Sequence, residues 1–543
     1  MHIVSASNVR PFVIYLLIII FACLPIWAVG DFINQDGSPH LYNAYIIIEL
    51  LRDNPAFAEF YALNPAPIPN LSGHYLLAIL LFIFSPPVVT KIMVTLTFAG
   101  LIAAVGWLRF QIVGREGLTT AFLIGAVLAF NWMWFLGFYN FIIGVIGFAF
   151  TLGLYWRWRQ ILNLPRSLIL SALIVIIFFS HLISFVMLVG SILVVAVSLP
   201  TLNLKRALIW TGASILPVLP FLIGYKLISA AGGETIPVWR NLENPLSPAS
   251  WVFRLQTADP FQLLTRKGFP FSIGDSNLFA FFSPFLWLAI ALLCLATVTF
   301  FYYRQKKILN RQSLPFVFLT IASILFWVFA PDDFGKSHGS FLRERVLLCG
   351  LICFIPLFRT VKFPRLERMI SVLLIFVILF QTLALWEYAL KANALGKEYL
   401  AARSVIGDDD RIGSVRFIEN GCRFKSNPLS NINVLYGVGK RSLVWDNYEI
   451  GFYLFPVTVK NFHDRQFSFD FHESSSFELC DPNEKTADKL NQLNSLMNLH
   501  HDRIDVILIW NGEGREMPFL NRWYDNVPFY QQGRVRLFRH RQF

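Results

Sequence analysis

LSGHYLLAILLFIF, residues 71–84, is the stretch on which the topology of this chain turns. It is apolar enough to enter a bilayer, yet it falls short of the roughly 20 residues that a crossing helix needs. It begins among the polar Asn70, Ser72, Gly73 and His74 and ends at Pro86-Pro87. Counted as non-crossing, it leaves five basic gaps on the side of Arg10. These hold Arg109 and Arg115; Arg157, Arg159 and Arg166; Lys205 and Arg206; Arg304, Lys306, Lys307 and Arg311; and Arg359, Lys362, Arg365 and Arg368. Every one of them then obeys the bias that keeps Lys and Arg on the inner side of a membrane. Counted as crossing, it throws the later basic gaps outside. The sequence therefore predicts a juxtamembrane or re-entrant helix here, on the outer face.

Working outward, apolar runs of near-spanning length occur at residues 11–29, 88–108, 119–136, 138–156, 167–181, 182–199, 207–229, 281–302, 313–330, 342–358 and 369–390. The expected fold is thus a polytopic α-helical membrane protein with about 11 transmembrane helices plus juxtamembrane helices. Composition agrees: 55% of residues are hydrophobic, 16% aromatic and only 15% charged. The net charge of +12 reads as membrane orientation, since its Lys and Arg crowd the short gaps, and not as a nucleic-acid surface. Residues 11–29 also have the length of a cleaved signal peptide, but the small-residue pattern at Ala28-Val29-Gly30 is weak and a retained anchor is preferred.

On this topology residues 1–390 form the transmembrane domain, with outer loops at 30–87, 230–280 and 331–341. Residues 391–543 form a soluble extracytoplasmic α/β domain, marked by mixed charge and by β-rich segments at 442–445, 505–510 and 535–539. Two amphipathic candidates, residues 248–256 and 260–266, suit the membrane surface. Cys23, Cys294, Cys349 and Cys353 lie in apolar runs, whereas Cys422 and Cys480 lie in the tail, as a disulfide or as two thiols.

NQDGSPHLYNA, residues 34–44, follows the first apolar run and sets a carboxylate at the outer membrane face. Ser38 suits an N-cap and Pro39 a first helical position, so a helix is expected to start there and to turn His40 back toward Asp36. A carboxylate that has lost hydration gains basicity, which suits proton abstraction by Asp36 with His40 beside it. The plainer reading is a turn-forming Asp and an interfacial His. His74, after a Pro-rich connector, is a candidate for the same pocket, or caps an interfacial helix.

PDDFGKSHGSFLRER, residues 331–345, breaks the charge rule by putting Lys336, Arg343 and Arg345 outside. A phosphate at the outer surface explains that, because Arg binds phosphate oxygens in pairs and a helix start offers free amides. His338 belongs to the same candidate site, and Glu344 either orients an Arg at its edge or forms a structural ion pair. Arg343 and Arg345 are two apart on a helix, so both cannot face one ligand squarely. FNWMWFLGFYNF, residues 130–141, gathers rings that stack on sugars or form the ordinary interfacial belt, with Tyr139 and Asn140 as pocket candidates. His181, at another outer turn, reads as interfacial. No zinc-type Cys or His spacing and no Walker or dinucleotide glycine pattern is present, so no metal ligands are assigned and ATP-driven transport is unsupported.

The order QDGSPH, PNLSGHYLLAILLF, many further apolar runs, FLRER and a polar tail resembles the GT-C superfamily of membrane glycosyltransferases, which includes protein O-mannosyltransferases and lipid A aminoarabinose transferases. The resemblance implies a sugar carried on a polyprenyl phosphate, transferred to a glycan, lipid or protein acceptor at the outer face of a bacterial cytoplasmic membrane. The N-terminus would be cytoplasmic. Asp36 maps onto the acidic base or acceptor-positioning residue, and Arg343 or Arg345 onto the basic group that holds the lipid phosphate. This chain has Asp-Gly where many members show Asp-Glu or Asp-x-Asp, which leaves a divalent cation open. Two other classes compete: a transporter or flippase for lipid-linked saccharides, which needs polar groups at mid-membrane, and a non-catalytic scaffold for envelope assembly.

Overall fold

The computed structural model describes residues 6–198, 204–230, 259–265, 281–305, 311–331, 333, 339–358, 364–419, 423–480, 485–513, 515 and 517–541. Among them six helices are long and apolar enough to cross a membrane: Val9–Trp27, Pro86–Val113, Tyr139–Trp158, Leu204–Ser229, Pro284–Tyr302 and Pro364–Ser404. Leu118–Ala129, Leu164–Ser180, Leu182–Ser198 and Leu314–Phe329 are shorter apolar helices packed among them. The last long helix shows why the bundle suits lipid. Met369, Val372, Phe376, Leu379 and Leu383 are exposed on one side, while Ile370, Leu374, Val377, Ile378 and Gln381 are buried on the other. A row of large apolar side chains left outside, on a helix long enough to span a bilayer, is the face that hydrocarbon covers in a membrane protein. The protein is a helical membrane protein.

Residues 71–84 give the helix Ser72–Leu81, of 10 residues. At 1.5 Å per residue it reaches about 15 Å, roughly half the apolar thickness of a bilayer. It packs on the helices Gly37–Leu51 and Tyr139–Trp158, where its Gly73 amide donates to Asn140 Oδ1 at 2.6 Å.

The C-terminal part carries a six-stranded sheet. Strand β2 (Arg411–Ile418) pairs in parallel with β6 (Val506–Trp510) along one edge. Along the other it pairs with β3 (Leu443–Val444) and β5 (Ser476–Glu478), again in parallel. Then β8 (Val535–Arg539) adds antiparallel to β6, and β7 (Tyr530–Gln532) closes a hairpin on β8. Val-Ile-Leu-Ile-Trp in β6 is buried throughout, as a central strand of a covered parallel sheet requires.

This part is stitched to the bundle. The helix of residues 364–399 runs on past residue 390 into it. Strand β1 (Tyr61–Leu63), in the first loop, pairs antiparallel with β4 (Val457–Val459). Tyr42 Oη donates to the Ser442 carbonyl at 2.9 Å and Tyr388 Oη to the Ile33 carbonyl at 2.8 Å. Residues 260–265 form no surface helix: Phe261, Leu263 and Leu264 are buried, and Leu264 bridges Phe424. Apolar side chains that find a protein wall have no need of the lipid surface. Residues 248–256 lie outside the described residues. Cys480 is disulfide-bonded, and Cys422 lies outside the described residues.

Inside the sheet, Arg416 of β2 is fully buried and meets Asp446 at 3.0 Å, while Ser414 Oγ donates to the same carboxylate at 2.6 Å. Removing one partner of a buried ion pair strands the other. Arg416→Ala is expected to cost about 3–5 kcal/mol of domain stability. Tryptophan fluorescence during thermal melting checks it, and an unchanged midpoint would show that Asp446 finds another partner.

Candidate active site

Asp36 is the residue just before the helix Gly37–Leu51. It makes no side-chain cap to that helix, and neither does Ser38, because the helix starts at Gly37 and leaves Ser38 and Pro39 inside it. An aspartate at this position ordinarily bonds the first free amides, a contact of about 1 kcal/mol. Here the carboxylate turns away and accepts from Asn431 Nδ2 at 2.9 Å. Its backbone is held from the opposite side, where the Asp36 amide donates to the Leu136 carbonyl at 2.8 Å.

The Asp-Gly pair has a steric cause. A Cβ on Gly37 would lie 2.0 Å from Asn34 Oδ1 and 2.6 Å from Tyr139 Oη. One on Gly137, at φ +99°, would lie 2.7 Å from the Gly37 amide nitrogen. The two glycines let the first loop press against the turn before Tyr139 and so fix where Asp36 points. Gly37→Ala is therefore expected to shift Asp36 and to lower turnover by about 10²-fold, the scale of a 1 Å misplacement. Kinetics measured beside an unaltered melting temperature would separate this from unfolding.

Asp36 opens into a cavity of about 510 Å³. Its walls come from the first loop, from helix ends at residues 136–141 and 181–183, from residues 333 and 339–345, and from the C-terminal part through Asn431, Tyr448, Phe455 and His472. Arg345 lines the same cavity. It meets His181 Nε2 at 3.0 Å and lies over the Phe138 ring at 5.0 Å. The preceding Phe341 takes a left-handed backbone at φ +59°, a strained conformation for an aromatic residue, and sets its ring edge-on to Trp132 in the cavity wall.

Burial raises the Asp36 carboxyl to about 7, and the charge of Glu449 adds to the rise, with the Asn431 bond and the Arg345 charge pulling it back. Such a group exchanges protons near neutrality. Burial holds His472 down at about 3, with the Arg416 charge acting the same way, so it stays neutral.

His40 lines the cavity but does not turn to Asp36. It pairs with Glu449, a residue of the short turn Tyr448–Gly451, and its Nδ1 lies 3.2 Å from His74 Nε2. His74 Nε2 lies 2.8 Å from Glu449 Oε2, and Asn43 Nδ2 donates to that oxygen at 2.8 Å. Burial works against ionising Glu449, but the charges of His40 and His74 prevail and hold it at about 2. Burial drives His40 toward its neutral form. The ionised carboxylate is the firmer of these two statements, because two imidazole nitrogens and an amide nitrogen all face it.

The remaining expected residues divide. Asn140 lines the cavity. His74 stands behind the wall in the Glu449 cluster, and Tyr139 donates to Asn34 Oδ1 at 3.3 Å below Gly37. Arg343 and Glu344 are buried beside the cavity and not on its surface, as two-residue spacing on the helix Leu342–Phe354 dictates. Lys336 and His338 lie outside the described residues. Asn431, Tyr448 and Glu449 carry no signal in the sequence, since they are about 400 positions from Asp36 and belong to no motif. His181, an expected interfacial residue, touches Arg345. Nor did spacing assign any metal ligand, yet His40, His74 and Glu449 offer three ligand atoms within 4.8 Å of one another.

Compared with protein-family models and with curated proteins, the chain finds no match.

Proposed function

We propose that this protein transfers a sugar from a polyprenyl phosphate to an acceptor hydroxyl at the extracytoplasmic face of the membrane. One observation carries the reading: Asp36 and Arg345 line a single cavity, walled by ends of the bundle helices and by the C-terminal part. The acceptor oxygen would form its bond to the anomeric carbon as its proton passes to Asp36. The bond from that carbon to the phosphate oxygen breaks, and the electron pair stays on the lipid phosphate, beside the guanidinium of Arg345. Phe138, Phe141, Tyr448 and Phe455 supply faces on which a pyranose stacks.

A second cavity fits the lipid. It measures about 820 Å³ and is walled by Leu288, Leu292, Ile321 and Ile324 of the helices Pro284–Gln305 and Leu314–Phe329. Leu347 and Leu351 complete it, and they belong to the helix that starts at the Arg345 end. A prenyl chain lying along that helix would bring its phosphate toward Arg345. The eleven-crossing topology, with the C-terminal part outside the cytoplasm and the basic gaps inside, completes the proposal.

A test uses purified protein in liposomes with radiolabelled polyprenyl-phosphate sugars. Release of polyprenyl phosphate together with labelled product supports the reading. Failure across hexose, pentose and aminosugar donors, in the presence of membrane extract as acceptor source, would end it. A transporter would instead move the labelled lipid between leaflets without cleaving it.

A further inference from the structure

We infer that His40, His74 and Glu449 form a binding site for one divalent metal ion of the zinc class, which clamps the first loop and the short helix Ser72–Leu81 to the C-terminal part. The ligand atoms come from three separate segments: the helix Gly37–Leu51, the helix Ser72–Leu81 and the turn Tyr448–Gly451. His40, His74 and Glu449 are 4%, 0% and 0% exposed. The edges between ligand atoms are 3.2 Å from His40 Nδ1 to His74 Nε2 and 2.8 Å from His74 Nε2 to Glu449 Oε2, with His40 and Glu449 closer still. Metal–ligand bonds of 2.0–2.1 Å in a tetrahedron set such edges at roughly 3.3 Å, so small outward shifts seat an ion. Two imidazoles with one carboxylate is a set that selects zinc and its neighbours over magnesium or calcium.

Hydrogen bonding explains the cluster less well. His74 Nδ1 lies 3.1 Å from the Asn70 carbonyl and 3.3 Å from Asn140 Nδ2. The carbonyl is nearer and can only accept, so Nδ1 carries the proton. A contact of 2.8 Å between Nε2 and a carboxylate oxygen then needs a cation between the two atoms, either a second proton on the His74 ring or a metal ion shared with His40, whose Nδ1 points at the same place from 3.2 Å. Glu449 Oε1 is buried and close to His40 Nδ1, yet it has no partner in hydrogen-bond geometry. The carbonyl behind His74 and the Asn43 amide on Glu449 Oε2 are the outer partners that orient metal ligands.

The inference does not rest on glycosyl transfer, and its test reads no activity. Protein purified without metal-affinity resin or chelator is analysed by elemental mass spectrometry and thermal melting. About one zinc per chain is expected, with a melting temperature that falls by several degrees in dipicolinate and returns with zinc but not with magnesium. Cobalt in place of zinc should give the visible absorption of a four-coordinate nitrogen and oxygen site. Glu449→Gln should lose the metal and with it the response to chelator. The wild-type measurements stand even if that variant fails to fold. Metal below a tenth of an equivalent with no zinc-dependent shift, or an equal chelator response in a folded Glu449→Gln, would overturn the site and leave a hydrogen-bonded imidazole and carboxylate cluster.

Discussion

Asp36→Asn is expected to keep the fold and to lower sugar transfer by about 10²–10⁴-fold, the range that a positioned general base contributes. The fold survives because an asparagine oxygen can still accept from Asn431 Nδ2, the contact that holds Asp36 at 2.9 Å. The wild-type rate should rise with pH through about 7, since burial and the Glu449 charge lift Asp36 to that value and only the ionised form takes a proton. Arg345 and the Asn431 amide oppose the rise. A cation on Glu449 would cancel part of the lift and move the midpoint down. The linkage to stability has a definite sign. A carboxyl whose folded pKa is raised contributes fully below its unfolded value of about 4, and that contribution is lost as pH climbs through about 7. Asp36→Asn escapes the loss, so at about pH 8 it should melt at or above the wild-type temperature. A wild-type transfer rate in this variant would remove Asp36 from the chemistry.

How much of this was legible in the sequence depends on what kind of force fixed each part. The helical, apolar character could be read because burial in lipid imposes a run length, but the count could not: eleven near-spanning runs were expected, and six of the described helices are long and apolar enough to cross, several runs giving shorter helices instead. Residues 71–84 were readable as a run too short for a span, and the helix Ser72–Leu81 has 10 residues. Asp36 and Arg345 were readable as exceptions: a carboxylate before an apolar helix and a guanidinium that the expected topology sets against the charge bias. Their neighbours were not. Ser38 was a sound local cap on propensity, but with Gly37 pressed against Gly137 the helix starts two residues earlier, at Gly37, and Asp36 turns to Asn431. His40 would reach Asp36 if the helix stood alone. Tertiary packing brings Glu449 across, and an ionised carboxylate outcompetes a half-neutral one for the imidazole. Long-range contacts of this kind, joining residues 36–43 to residues 431–449, leave no periodicity for a sequence to carry.

The pair Arg343 and Arg345 supplies the sharper trial of the phosphate site, because sequence alone ranks them equally and the fold does not. Both start the helix Leu342–Phe354, but two positions turn a side chain through about 200°, so only one can face the cavity. That one is Arg345. Its guanidinium rests on the Phe138 and Phe141 rings at 5.0 and 5.5 Å and meets His181, contacts that hold it at the cavity wall. As the phosphate departs, its growing charge should be stabilised there by an amount that mutagenesis of comparable donors puts at about 10²–10³-fold. Arg345→Met is therefore expected to lower turnover on that scale, and Arg345→Lys to recover only part, since an ammonium cannot bind two phosphate oxygens in a fork. Arg343→Lys keeps the buried charge and should stay within a few-fold of wild type. Single-turnover cleavage of a polyprenyl-phosphate sugar measures all three. Equal losses in Arg343→Lys and Arg345→Lys would mean that the phosphate is held elsewhere in the cavity, and the role of Arg345 would fall.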